Sequence, residues 1–179
     1  MSKHRRELGF ALYGMLLVSA VYFVAYKVTG EFPAPSSPIG HWTGIIGLAF
    51  MLMAQTAYPV RKQTRDARWG PMVKWLQAHV MMGLVGPYMV LLHTAGKFNG
   101  LAADILTVLT VIVLLSGIVG RYIYTSIPRE IEGVDPERLA AAKKTLAQWR
   151  AVHIPLTWTL FASALIHVLG ALYYATLLR

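Results

Sequence analysis

The chain has 179 residues, of which 56% are hydrophobic and 14% charged, and it contains no cysteine. A soluble domain has a smaller apolar and a larger charged share, so the composition points to a membrane protein, and the missing thiols exclude disulfides, thiolate metal sites and thiol redox chemistry. A formal net charge of +9 would suit nucleic acid, but the basic residues alternate between connections instead of forming one patch, which argues against nucleic acid as the partner.

Crossing a bilayer takes roughly 20 apolar residues, and five runs of about that length follow one another, at about 8–26, 42–60, 75–95, 101–124 and 152–178. The first follows Lys3, Arg5 and Arg6 and contains Val18-Ser19-Ala20, a signal-peptide-like feature. Its apolar run continues unbroken to Tyr26, which predicts an uncleaved anchor. Pro33, Pro35, Ser36, Ser37 and Pro38 predict a loop before the second span. Gly70-Pro71 closes the second connection, and the third, Gly96 to Gly100, is short enough to make spans three and four antiparallel. In the long fourth connection, Asp135 is placed to cap a helix with Pro136 at its first position and Glu137 next. Leu139, Leu146 and Trp149 then recur near helical spacing, predicting a short amphipathic helix over about 136–149 on the membrane surface. Pro155 predicts that the fifth span begins or bends nearby.

Arg61, Lys62, Arg65, Arg68 and Lys74 fill the second connection, and Arg121, Arg129, Arg138, Lys143, Lys144 and Arg150 lie in or beside the fourth. The first and third connections offer only Lys27 and Lys97. This alternation is the positive-inside pattern. It predicts a cytoplasmic N-terminus and an outer C-terminus at Arg179, with the bacterial cytoplasmic membrane as the expected location. The expected fold is an all-α integral membrane protein, one membrane domain over residues 1–179 with five transmembrane helices.

Span three begins near His79 and ends near His93, and span five repeats the interval with His153 and His167. Fourteen residues make about four helical turns, so both histidines of a span share a face, about 21 Å apart along the axis. Spans three and five run parallel, which sets His79 level with His153 and His93 level with His167. A histidine within a span is rare and usually faces the bundle interior, where it can simply hydrogen-bond a neighbouring helix. Two matched pairs at equal depth exceed what packing requires. A bare zinc or copper ion needs about four ligands, and no Cys, Asp or Glu stands nearby to complete such a shell. A haem iron needs only two axial ligands beyond its porphyrin, and a facing histidine pair supplies them.

Between the histidines the same face reads Gly83, Gly86 and Val90 on span three, and Thr157, Leu160 and Ala164 on span five. Small residues there let a flat macrocycle approach the backbone, although small residues also mediate ordinary helix packing. Gly44 and Gly47 on span two, and Gly117 and Gly120 on span four, suit either purpose. Haem propionates need cationic or hydrogen-bonding partners. Arg150, Lys74 and Arg121 stand near the inner ends of spans, and Lys97 and His41 near the outer ends, where each also suits an interfacial anchor.

His79-x13-His93 and His153-x13-His167 on alternate spans resemble the bis-histidyl, di-haem four-helix core of transmembrane b-type cytochromes. The pattern is similar to the membrane domain of ferric reductases and NADPH oxidases and to the haem-binding helices of cytochrome b from quinol-oxidising complexes. LLHTAGKFNG, residues 91–100, has the character of the ferric-reductase-like group. The resemblance covers spans two to five, roughly residues 41–178. It implies a four-helix bundle holding two haem b groups, an inner one on His79 and His153 and an outer one on His93 and His167, with transmembrane electron transfer as the activity. In ferric reductases the second pair is often one residue closer than the first, whereas here the two intervals are equal, as in cytochrome b. The sequence lacks the Pro-Glu-Trp-Tyr type of quinol-site motif.

The leading expectation is an electron conduit acting as a subunit of a membrane redox complex. Since no flavin or nicotinamide domain follows the spans, donors and acceptors are expected outside the chain: a c-type cytochrome, an iron–sulfur or flavin subunit, or a quinone, which Tyr122, Tyr124 and Trp158 would line. A self-contained quinol-linked ferric or oxygen reductase is the alternative within the redox class, with its acceptor near Lys97 and His41. A metal-ion or proton transporter using the histidines as way-stations is the alternative outside it. Transport predicts carboxylates within the spans, and only Asp104 lies near one.

Overall fold

The computed structural model describes residues 6–64, 67–97, 100–126 and 135–177. Lys3, Arg5, Arg65, Arg129 and Arg179 of the charge pattern, and the last residue of the fifth expected span, lie outside them. Five α-helices account for almost all of the described chain: α1 (Arg6–Thr29), α2 (Pro38–Thr64), α3 (Met72–His93), α4 (Leu101–Ser126) and α5 (Pro136–Leu177), with a 3₁₀ turn at Ala67–Trp69. Each is long and apolar enough to cross a membrane. Their large apolar side chains are widely exposed, Leu101 at 77% and Ile166 at 66% among them. In water that would be an aggregation hazard; in a bilayer it is the lipid-facing surface.

Local chemistry sets the helix ends. Pro38 opens α2 directly from the proline-rich loop, with the Ser37 hydroxyl accepting from the Gly40 N–H at 3.2 Å. That start is four residues ahead of the expected span, because proline at a first helical position lacks only an N–H that would have no partner there. After α3 the chain turns through Ala95 at φ +50° and Gly96 at φ +66°, a left-handed passage that glycine adopts without a Cβ penalty. Asp135 caps α5 as expected, its Oδ1 accepting from the Glu137 N–H at 3.0 Å.

The chain divides into two compact units, residues 1–98 and 99–179. In the first, α3 packs against both α1 and α2. Ala11, Val85 and Met89 form the buried centre, with Met15, Val18, Phe50, Met81 and Leu84 around it. The Ser19 and Tyr88 hydroxyls hydrogen-bond across the α1–α3 contact. The α2 and α3 backbones approach closely at Gly47 and Gly86, where a Cβ on either would stand 2.9 Å from the other's carbonyl oxygen. This is the small-residue crossing by which helices approach in lipid, where dispersion replaces the hydrophobic drive.

In the second unit α4 and α5 form an antiparallel pair. The expected surface helix over 136–149 and the fifth span prove to be one continuous helix of 42 residues. At about 1.5 Å per residue it is about 63 Å long, twice the roughly 30 Å of a bilayer's hydrocarbon core. No residue between Trp149 and Ile154 breaks a helix. Pro155 keeps a helical φ, and its missing N–H leaves only the Ala151 carbonyl without its usual partner. The Trp149 indole lies in the α4–α5 contact, over Gly120.

Candidate functional site: the intramembrane histidines

His79 lies on α3 opposite α2, and its Nδ1 is 2.7 Å from the Ala54 carbonyl oxygen. One interval further along, His93 Nδ1 is 2.8 Å from the Gly40 carbonyl oxygen. Ala54 and Gly40 are themselves fourteen residues apart, so the antiparallel helices repeat one contact at the same step. A carbonyl can only accept, so both rings must donate from Nδ1–H. In a neutral ring that fixes the tautomer and leaves Nε2 unprotonated, the form in which imidazole ligates a metal.

The His93 ring is held on a second side as well. A Cβ at Gly44 would meet its Cγ and Nδ1 at 2.9 Å, so only glycine fits there. His79 has an aromatic neighbour in Tyr58, with ring centroids 5.4 Å apart.

In the second unit the His153 Nδ1 is 2.7 Å from the Ser116 hydroxyl of α4. Its ring stacks on Trp149, centroids 4.7 Å apart at 20°, and Trp149 Nε1 donates to the Ser116 carbonyl at 2.8 Å. Gly120 makes room for that indole, since a Cβ there would overlap its six-membered ring, and Gly117 faces the imidazole edge at 3.8 Å. His167 is half-buried. Along the face from His153 to His167, Thr157, Leu160 and Ala164 are all buried, Leu160 at 1%.

The two glycines between His79 and His93 have different surroundings. Gly86 is taken up by the α2 crossing. Gly83 has nothing within 4 Å of where its Cβ would stand, which leaves open backbone on the helix that carries the histidines. Of the other expected site residues, His41, Lys97 and Arg150 are exposed and Arg121 is half-buried. Tyr122, Tyr124 and Trp158 are exposed at 72%, 47% and 63%.

Ser116 is the functional candidate that sequence reading overlooks. It is the one polar side chain between Thr110 and Arg121, a signal that becomes readable once α4 is known to face His153. The carbonyls of Gly40 and Ala54 leave no such trace, because every residue has one.

Among the described residues no three His, Cys, Asp or Glu side chains converge as a metal cluster would require. The donors suit a group that brings most of its own ligands: imidazoles oriented by hydrogen bonds at Nδ1, and half-buried backbone at Gly83 with open space where a Cβ would stand. Haem fits that description. The fold and histidines thus define an integral membrane protein of five apolar helices with oriented imidazoles inside them. No family model, curated protein or solved structure matches the chain.

Proposed function

We propose that the chain is a b-type cytochrome that carries electrons across the membrane through two bis-histidine haems, as a subunit of a membrane redox complex. The observation that carries this reading is the repeated contact on α3. His79 and His93 each donate from Nδ1 to a carbonyl of α2, which in the neutral rings leaves two Nε2 lone pairs one fourteen-residue interval apart. A packing histidine gains nothing from that repeat, whereas a ligand needs the tautomer it enforces. His153, held by Ser116 and Trp149, supplies a third oriented ring.

The pairing of His79 with His153 and His93 with His167 rests on the sequence alone, in which the two spans carry equal intervals and have one span between them. Bound haem supplies one-electron chemistry. The chain supplies axial nitrogens, apolar walls that exclude water, and a separation of about 21 Å between the two levels of histidine, so that a membrane-wide transfer divides into short steps. An iron that took both of its remaining ligands from histidines would have no open position for a substrate. Reaction at the iron is therefore not the expected role, and electrons pass to and from partners: a quinone in the lipid, a c-type cytochrome, or an iron–sulfur or flavin subunit. The alternation of basic connections supports a cytoplasmic N-terminus.

A reduced-minus-oxidised absorption spectrum of the purified protein, with haem quantified per polypeptide, tests the proposal. Two low-spin b haems per chain are expected. Protein made with haem available and isolated without it would overturn the reading.

A further inference from the structure

His79, His93 and His153 are not held alike. Backbone carbonyls hold His79 and His93, and no substitution can remove those acceptors. A side chain holds His153. On α4, Ser116, Gly117 and Gly120 form a small-residue pocket that receives Trp149 and His153, one helical turn apart on α5. The indole N–H bonds the Ser116 carbonyl, the Ser116 hydroxyl bonds the imidazole, and the two rings stack.

We infer that Ser116 and Trp149 are positioning residues that orient His153 as an axial ligand and set the potential of the one haem it serves. The inference rests on the cytochrome reading, since a serine hydroxyl can donate or accept, and iron at Nε2 requires that Nδ1 keep its proton. Ser116 is then the acceptor. An acceptor on Nδ1–H raises the basicity of the imidazole and stabilises the oxidised iron, so its removal favours reduction. Trp149 stops the ring from turning away from the hydroxyl, and Gly120 admits Trp149.

Redox titration of the intact protein, followed optically and by low-temperature EPR, compares Ser116→Ala, Ser116→Thr and Trp149→Phe with the parent chain. Ser116→Ala should raise the midpoint of one haem by the equivalent of up to about a tenfold change in its oxidised-to-reduced ratio, about 59 mV for one electron, while the second haem stays put. Ser116→Thr, which restores the hydroxyl, should return the midpoint towards the parent value. Trp149→Phe keeps the stack and loses the N–H, and should broaden or shift the EPR signal of the same haem. The same Ser116→Ala shift should appear in the single haem left by His93→Ala. Two haems with unchanged midpoints in Ser116→Ala, or an equal shift in both, would overturn the positioning role and leave the cytochrome reading intact. A parent protein without haem would instead remove the reading on which it rests.

Discussion

A β-carbon on Gly44 would stand 2.9 Å from both Cγ and Nδ1 of His93. The same ring cannot retreat, because its Nδ1 is tied at 2.8 Å to the carbonyl of Gly40, one turn away on the same helix. Gly44→Ala should therefore turn the imidazole or break its hydrogen bond. Either outcome removes an oriented ligand while leaving the apolar faces of α2 untouched. The expected result is protein of normal abundance whose haem content falls from two per chain towards one, read by the pyridine haemochrome assay. Full content with an unaltered spectrum would show that the ring has slack the geometry does not suggest.

His93→Ala tests the independence of the two levels directly. His79 keeps its bond to the Ala54 carbonyl, a full interval from the altered site. One haem should be lost and the other should keep its absorption maximum and its midpoint. Loss of both, in protein that still inserts and stays monodisperse in detergent, would mean that the two levels assemble as one unit.

Much of the fold is readable in the sequence because lipid imposes one rule on every span: the backbone must satisfy itself, so long apolar runs become helices. Asp135 and Pro136 likewise announce the start of α5. The helix expected over 136–149 is shorter than the one found, for a physical reason. Amphipathic periodicity shows that one face of a helix is covered but not by what, and Trp149 reads the same against lipid as against α4. The histidine intervals are legible as spacing. What orients each ring is not, since two of the acceptors are backbone atoms and the third is one serine in an apolar run.

Orientation in the membrane is open to a clean test because the chain has no cysteine of its own. Ser36 is exposed in the loop between α1 and α2, and Ser36→Cys would be the sole thiol. A membrane-impermeant maleimide should label it in intact spheroplasts, and inverted vesicles should stay unlabelled until permeabilised. The reverse pattern would invert the proposed topology and move the His93 level to the cytoplasmic side.

Gly83 and Gly86 separate two uses of a small residue on one helix. Replacing glycine by alanine inside a helix gains about 0.8–1 kcal/mol of intrinsic propensity, and at Gly83 nothing opposes the gain, because the new methyl meets no atom within 4 Å. Gly83→Ala should thus leave the haem-free protein as stable as the parent or slightly more so. At Gly86 the methyl would meet the Gly47 carbonyl and the Met51 side chain, both at 2.9 Å, and overpacking of that kind costs about 1–3 kcal/mol. The net effect of Gly86→Ala should be a loss, seen as a lower midpoint when the protein is unfolded by SDS in mixed micelles. Haem content distinguishes the two sites a second time. If a macrocycle lies against the open backbone at Gly83, a methyl there should weaken haem retention in a stable protein, and Gly83→Leu should weaken it further. Retention unaffected even by leucine would mean that Gly83 faces lipid, and the approach of the macrocycle would then have to come from elsewhere on α3.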